Sequence, residues 1–157
     1  MNDRWASQLA LRVATVAGLG YVRYAPGTCA TGLTLCGIFL LVLLGLSLPI
    51  YVAIIAGSIV IAYASISVAL PLFYNDTDPS AIVIDEVVGT LITFFGVVFN
   101  VKTLLLGFVL FRFFDIVKPF GIKRVERLHG AVGIVADDCL AGLYANGLLH
   151  LYLWFFI

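Results

Sequence analysis

The chain is 157 residues long, 62% hydrophobic and only 11% charged, with nine basic and nine acidic residues and no formal net charge. A soluble domain carries about 25% charged residues because its surface faces water, so this composition, with a mean hydropathy of +1.12, excludes a water-facing globule. Zero net charge leaves no electrostatic footprint for a nucleic-acid partner. In lipid, backbone polar groups must be satisfied within helices or a closed barrel, and these apolar runs are too long and continuous for barrel strands.

Residues 5–20 mix Arg12 and Gln8 with small and apolar residues, which fits an N-terminal interfacial helix better than a full span. Tyr24 to Thr28 reads as a turn: Pro26 fixes its own φ and biases Ala25 away from helix. The first span is expected at 30–48 and the second at 50–72. The polar loop Asn75-Asp76-Thr77-Asp78-Pro79-Ser80 follows. A third span over 81–99 carries Asp85 and Glu86 in its early turns. After a short turn at 100–103, a fourth over 104–117 carries Arg112 and Asp115. A basic loop fills 118–130, and a fifth span over 131–157 carries Asp137 and Asp138. The expected fold is all-α: a single integral membrane domain over 1–157, a polytopic helix bundle of about five spans. The first long apolar run begins near Gly32, too late for the core of a cleavable leader. Three cysteines, Cys29, Cys36 and Cys139, match no zinc spacing, and Cys36 reads as an inert packing residue.

Arg4, Arg12 and Arg23 precede the first span, and Lys118, Lys123, Arg124 and Arg127 lie between the fourth and fifth, whereas the opposite side receives only Lys102. Basic loops stay inside, so the N-terminus and the 118–130 loop are expected to be cytoplasmic. On that topology every acid of a span falls near one membrane face. An ionised group inside a span costs on the order of 2.5–3.5 kcal/mol even on the lenient insertion scale, and clustered acids also repel. A divalent ion removes both objections, and a carboxylate set without sulfur selects a hard ion: magnesium, calcium or manganese. Such a site suits phosphoryl chemistry, with Arg112 and Lys118 placed to hold a phosphate.

Plainer readings stand beside this one. Arg112 and Asp115 are three apart on one helix face and suit a structural ion pair. Asp76 and Asp78 resemble a solvated turn, and Lys123, Arg124, Glu126 and Arg127 a headgroup-facing loop. Thr93 and Ser67 suit bonds back to their own helix. His150 suits packing or the membrane interface, and His129 is either a bystander or the acid that protonates a leaving alkoxide. Gly89, Gly133 and Gly142 lie four residues from Asp85, Asp137 and Asp138 respectively and put bare backbone on the acid-bearing faces. As a function, a small cation transporter could use the same acids as a relay, but none is expected midway or at the far face. The Asp- and Gly-rich run of CDP-alcohol phosphatidyltransferases is absent, as is the Lys…Arg-Pro…His pattern of type 2 phosphatidic acid phosphatases.

Four ordered blocks resemble the phosphatidylglycerophosphatase A family: Ala25-Pro26-Gly27-Thr28; Ile82 through Asp85-Glu86 to Gly89; Phe111-Arg112 through Asp115 to Lys118-Pro119; and His129-Gly130 through Asp137-Asp138 to Gly142. The resemblance runs from about Gly20 to Leu148. It departs at Ala30-Thr31, where the family often has Gly-Ser, and at Gly130-Ala131, where it often has Gly-Gly. It implies a magnesium-dependent enzyme of the bacterial inner membrane that removes the terminal phosphate of phosphatidylglycerophosphate to give phosphatidylglycerol. Its implied partners are this anionic phospholipid and membrane lipids, with room for a homo-oligomer. It implies catalytic roles for Asp85, Glu86, Asp115, Asp137 and Asp138, and metal binding by Asp78, Asp85, Glu86, Asp137 and Asp138. The substrate would meet Thr28, Arg112, Lys118 and His129.

Overall fold

The computed structural model of the chain describes residues 2–73 and 79–156, and among them every regular element is helical. The elements are α1 (Asn2–Ala14), α2 (Pro26–Leu43), α3 (Leu48–Ala69), α4 (Ile84–Thr93), α5 (Val101–Val117), α6 (Ile122–Glu126) and α7 (Ala131–Phe156), with 3₁₀ turns at Leu19–Tyr21 and Leu70–Phe73. Three stretches are long and apolar enough to cross a membrane: Pro26–Leu43, Leu48–Phe73 and Ala131–Phe156. Polarity is inverted relative to a soluble protein. Leu43, Val60, Leu105 and Val109 are exposed while Asp85, Asp137 and Asp138 are buried. Exposed aromatics sit at both ends of the chain, with Trp5 on α1 and Trp154, Phe155 and Phe156 closing α7, as in the aromatic belts of membrane interfaces. Cys36, expected to pack, instead lies on the outward face of α2.

The expected third span is not one helix. At ten residues α4 is about 15 Å long, half of a hydrocarbon core of about 30 Å. It ends in an irregular segment that includes Gly96 at φ 68°. Non-helical backbone at membrane depth is tolerated only where protein satisfies its polar groups. Here α3 and α7 do so. Tyr51 donates to the Leu91 carbonyl at 2.9 Å, Asn146 donates to the carbonyls of Thr93 at 3.0 Å and Phe95 at 2.9 Å, and His150 Nε2 lies 3.0 Å from the Phe95 oxygen. His150 therefore has a backbone polar partner. The expected fourth span begins earlier, at Val101, because Asn100 forms a capping box with Thr103. With 17 residues, α5 is about 26 Å long. Thr93 and Ser67 bond back to the carbonyls of Gly89 and Tyr63, as their setting predicts.

Chain direction alternates through the bundle. Ala69 of α3 packs with Ile134 and Val135 of α7 and with Ala14 at one end. Leu35 and Ile38 of α2 pack with Phe94 and Leu149 at the other. Two contacts brace the entry to α4: Val83 donates its N–H to the Ala14 carbonyl at 3.0 Å, and bare Gly20 lies against the Ala81 backbone. The central crossing joins α4 to α7. A Cβ on Gly142 would overlap the Gly89 carbonyl, and one on Gly89 would meet the Asp138 carbonyl and the Phe111 ring. Gly142→Val is therefore expected to cost about 1–3 kcal/mol through overpacking, read as a lower melting temperature in detergent. Gly147→Val, whose Cβ would enter open space, should change stability by less than about 0.5 kcal/mol. Equal melting of the two variants would contradict this crossing.

Candidate active site

The first turn of α4 and the second turn of α7 meet just beyond the glycine crossing. Oxygen atoms of Asp85, Glu86 and Asp138 lie within 4.8 Å of one another. Asp85 and Asp138 are buried and Glu86 nearly so. Glu86 Oε2 and Asp138 Oδ2 are shielded from solvent with no hydrogen-bond partner among the described residues. Buried carboxylate oxygens normally take partners, so this arrangement has the donor set and spacing of a hard-cation site.

Arg112 of α5 closes the next side. Its Nη1 lies 2.6 Å from Asp115 Oδ2 and 3.9 Å from Glu86 Oε1. Nε and Nη1 have no hydrogen-bond partner among the described residues, although Nη1 is ion-paired with Asp115. Gly27, in the first turn of α2, leaves the space that Glu86 and Arg112 fill. Thr28 follows it, half-buried.

The acidic pair on α7 divides its work. Asp138 joins the cluster, while Asp137 turns to the end of α5. There Lys118 Nζ donates to Asp137 Oδ2 at 2.6 Å and to Glu126 Oε1 at 2.8 Å. The second Asp137 oxygen accepts the Asp138 N–H at 3.0 Å. Burial alone would pull the Lys118 ammonium down, but its hydrogen bonds to Asp137 and Glu126 and their charges outweigh this and hold it above the ordinary lysine range. His129 lines a cleft of about 360 Å³ with Asp137, Glu126 and Arg127. Of the residues singled out in the sequence, Asp85, Glu86, Arg112, Asp115 and Asp138 come together, and Lys118, Asp137 and His129 form an adjoining group. Asp78 lies outside the described residues, as does Asp76. Two contributions have no signal in the sequence pattern: the space that Gly27 leaves for Glu86 and Arg112, and the pairing of Glu126 with Lys118.

A family model described as Phosphatidylglycerophosphatase A matches residues 12–153. The chain belongs to the phosphatidylglycerophosphatase A family. Within the phosphatidylglycerophosphatase A match, the curated relatives differ in name. A Bacteroides thetaiotaomicron protein provisionally named a phosphatidylinositol-3-phosphatase is 34% identical over 94% of this chain and 96% of its own. Phosphatidylglycerophosphatase A of Haemophilus influenzae is 35% identical over 82% and 78%, and that of Escherichia coli is 39% identical over 46% and 44%. No solved structure matches the chain. The family assignment makes this a phosphatase, and all the charged groups just described fall inside the matched region.

Removing Lys118 would take from Asp137 and Glu126 the ammonium group that both contact. Lys118→Met is expected to lower stability by about 1.5–3 kcal/mol, the scale of hydrogen bonds to charged groups. Adding Asp137→Asn should restore part of that loss. If the single and double variants melt together, at the wild-type temperature, the Lys118 bridge contributes nothing.

Proposed function

We propose that the chain is a single membrane phosphatase domain that hydrolyses the terminal phosphomonoester of phosphatidylglycerophosphate. The products are phosphatidylglycerol and inorganic phosphate, and the reaction depends on magnesium. The observation that carries this reading is the triad Asp85, Glu86 and Asp138 beside Arg112, whose Nε and Nη1 have no hydrogen-bond partner among the described residues. Asp85, Glu86 and Asp138 would hold the ion, which supplies charge neutralisation and polarisation of phosphoryl oxygen. Arg112 offers a planar fork to two phosphate oxygens, and Lys118 a compact single charge. Asp115 orients Arg112, and Asp137 orients Lys118. The ester P–O bond breaks and a water oxygen takes its place on phosphorus; one water proton stays with the phosphate formed, His129 in the adjoining cleft donates a proton to the departing glycerol oxygen, and the other water proton restores that of His129. The basic 118–130 loop beside the site supports a cytoplasmic-facing enzyme in a bacterial inner membrane.

Phosphate release by the purified protein tests the reaction. Phosphatidylglycerophosphate should be cleaved with magnesium and spared without it. Faster cleavage of phosphatidylinositol 3-phosphate would transfer the assignment to the activity named for the Bacteroides relative. Magnesium should also raise the melting temperature of wild type and not of an Asp85→Asn, Asp138→Asn double variant. Arg112→Lys keeps the charge and loses the fork. Turnover should fall roughly tenfold or more, equivalent to about 1.4 kcal/mol of transition-state stabilisation, with little change in melting. Full activity in an Arg112→Leu, Asp115→Leu double variant would show that Arg112 serves only as a counter-ion. Cysteine introduced at Lys123, in a background lacking the three native cysteines, should resist labelling by a reagent confined to the periplasm.

A further inference from the structure

An apolar groove runs along the outside of the bundle between α3 and α7. It comprises two stretches of about 440 Å³ and 390 Å³ that share Ile59, Cys139 and Leu143. Ile92 of α4 lines its inner side, Val125 of α6 stands at one end, and Phe95 and Asn146 stand at the other. Along α7 it extends from Val132 to Asn146, a rise of about 21 Å. One leaflet of hydrocarbon is about 15 Å deep, so the groove is long enough for a chain hanging from headgroup level.

We infer that this groove holds one acyl chain of the phospholipid whose phosphate enters the charged site. The inference rests on the lipid-phosphate reading above, and continuity carries it. The end of the groove at Val125 adjoins Glu126, which holds Lys118. On α7, Ala136 and Cys139 line the groove while Asp137 and Asp138 face the charged groups on the other side of the helix, so groove and charged groups meet at the Val125 end, around the start of α7. An amphiphile with a phosphate head and an apolar tail matches that junction in both charge and polarity. A second copy of the chain would match only the apolar part.

Two measurements decide it. The first compares kcat/KM for a long-chain diacyl phosphatidylglycerophosphate with that for its dihexanoyl analogue, in wild type, Ile59→Trp, Leu143→Trp and Val109→Trp. Filling the groove should lower the long-to-short ratio roughly tenfold, the scale of hydrophobic-pocket discrimination. Val109→Trp, on the outer face of α5, should leave the ratio at its wild-type value. An equal ratio in all four proteins overturns the inference. The second uses photo-crosslinking in phosphatidylcholine vesicles with a phosphatidic acid bearing a mid-chain diazirine. Adducts should concentrate in residues 52–63 and 132–146 and fall when unlabelled phosphatidic acid is added, but not when phosphatidylcholine is added. Adducts spread evenly over α2 and α5, or a groove shielded by a second copy of the chain, overturn it. If wild type cleaves neither lipid, the phosphatase reading fails while the crosslinking still decides the groove.

Discussion

The close crossing of α4 on α7 at Gly89 and Gly142 fixes where every acid of the cluster stands. A side chain at either glycine would hold the helices apart, and Asp85 and Glu86 would no longer reach Asp138. Little hydrophobic force drives helices together in lipid, so close van der Waals packing between small residues has to do it. The same crossing explains why α4 can be short. Packed against α7 and flanked by α3 and α5, its freed carbonyls find Tyr51, Asn146 and His150 in place of water.

Gathering acids at such a crossing is electrostatically unfavourable, and the chain offsets it unevenly. Asp115 and Asp137 each have a cation within 2.6 Å, Arg112 and Lys118 respectively. Glu86 has Arg112 only at 3.9 Å, and one oxygen each of Glu86 and Asp138 takes no hydrogen bond among the described residues. Protein cations therefore surround the triad without neutralising it. A divalent ion between the carboxylates would supply the missing positive charge, which ties the local energetics to the phosphoryl chemistry of the family.

Much of this was legible in the sequence, for identifiable reasons. Long apolar runs announced α2, α3 and α7, and acids within such runs are costly enough to be read as functional. The four-residue spacing of glycines from the acids pointed to the right faces. The interruption after Thr93 was hidden because residues 94–99 are as apolar as a helix interior, and Gly96 alone does not distinguish a bend from close packing. Glu126 was hidden by distance: it meets Lys118 across eight residues through a turn and the five-residue α6, a pairing that no helical or strand period encodes. Gly27 in a Pro-Gly turn signals backbone geometry, whereas its use here is the absence of a side chain beneath Glu86 and Arg112.

The turn at 118–121 joins backbone strain to the site. Lys118 and Phe120 both have positive φ, at 50° and 52°, and Gly121 follows at 94°. For residues with a Cβ, the left-handed region costs roughly 1–2 kcal/mol each. Glycine at 118 would relieve one of these costs while still ending α5, since glycine is the usual residue at a left-handed helix terminus. Lysine occupies the position because its side chain does what glycine cannot: it reaches two carboxylates on separate helices. Its ion pairs, each charge-assisted and partly shielded from water, are on the scale needed to offset the strain. The left-handed backbone in turn reverses the chain so that α6 returns Glu126 to it. The end of α5, the short α6 and the start of α7 are thereby locked around one ammonium group at the edge of the acid cluster, where a phosphate dianion would need it.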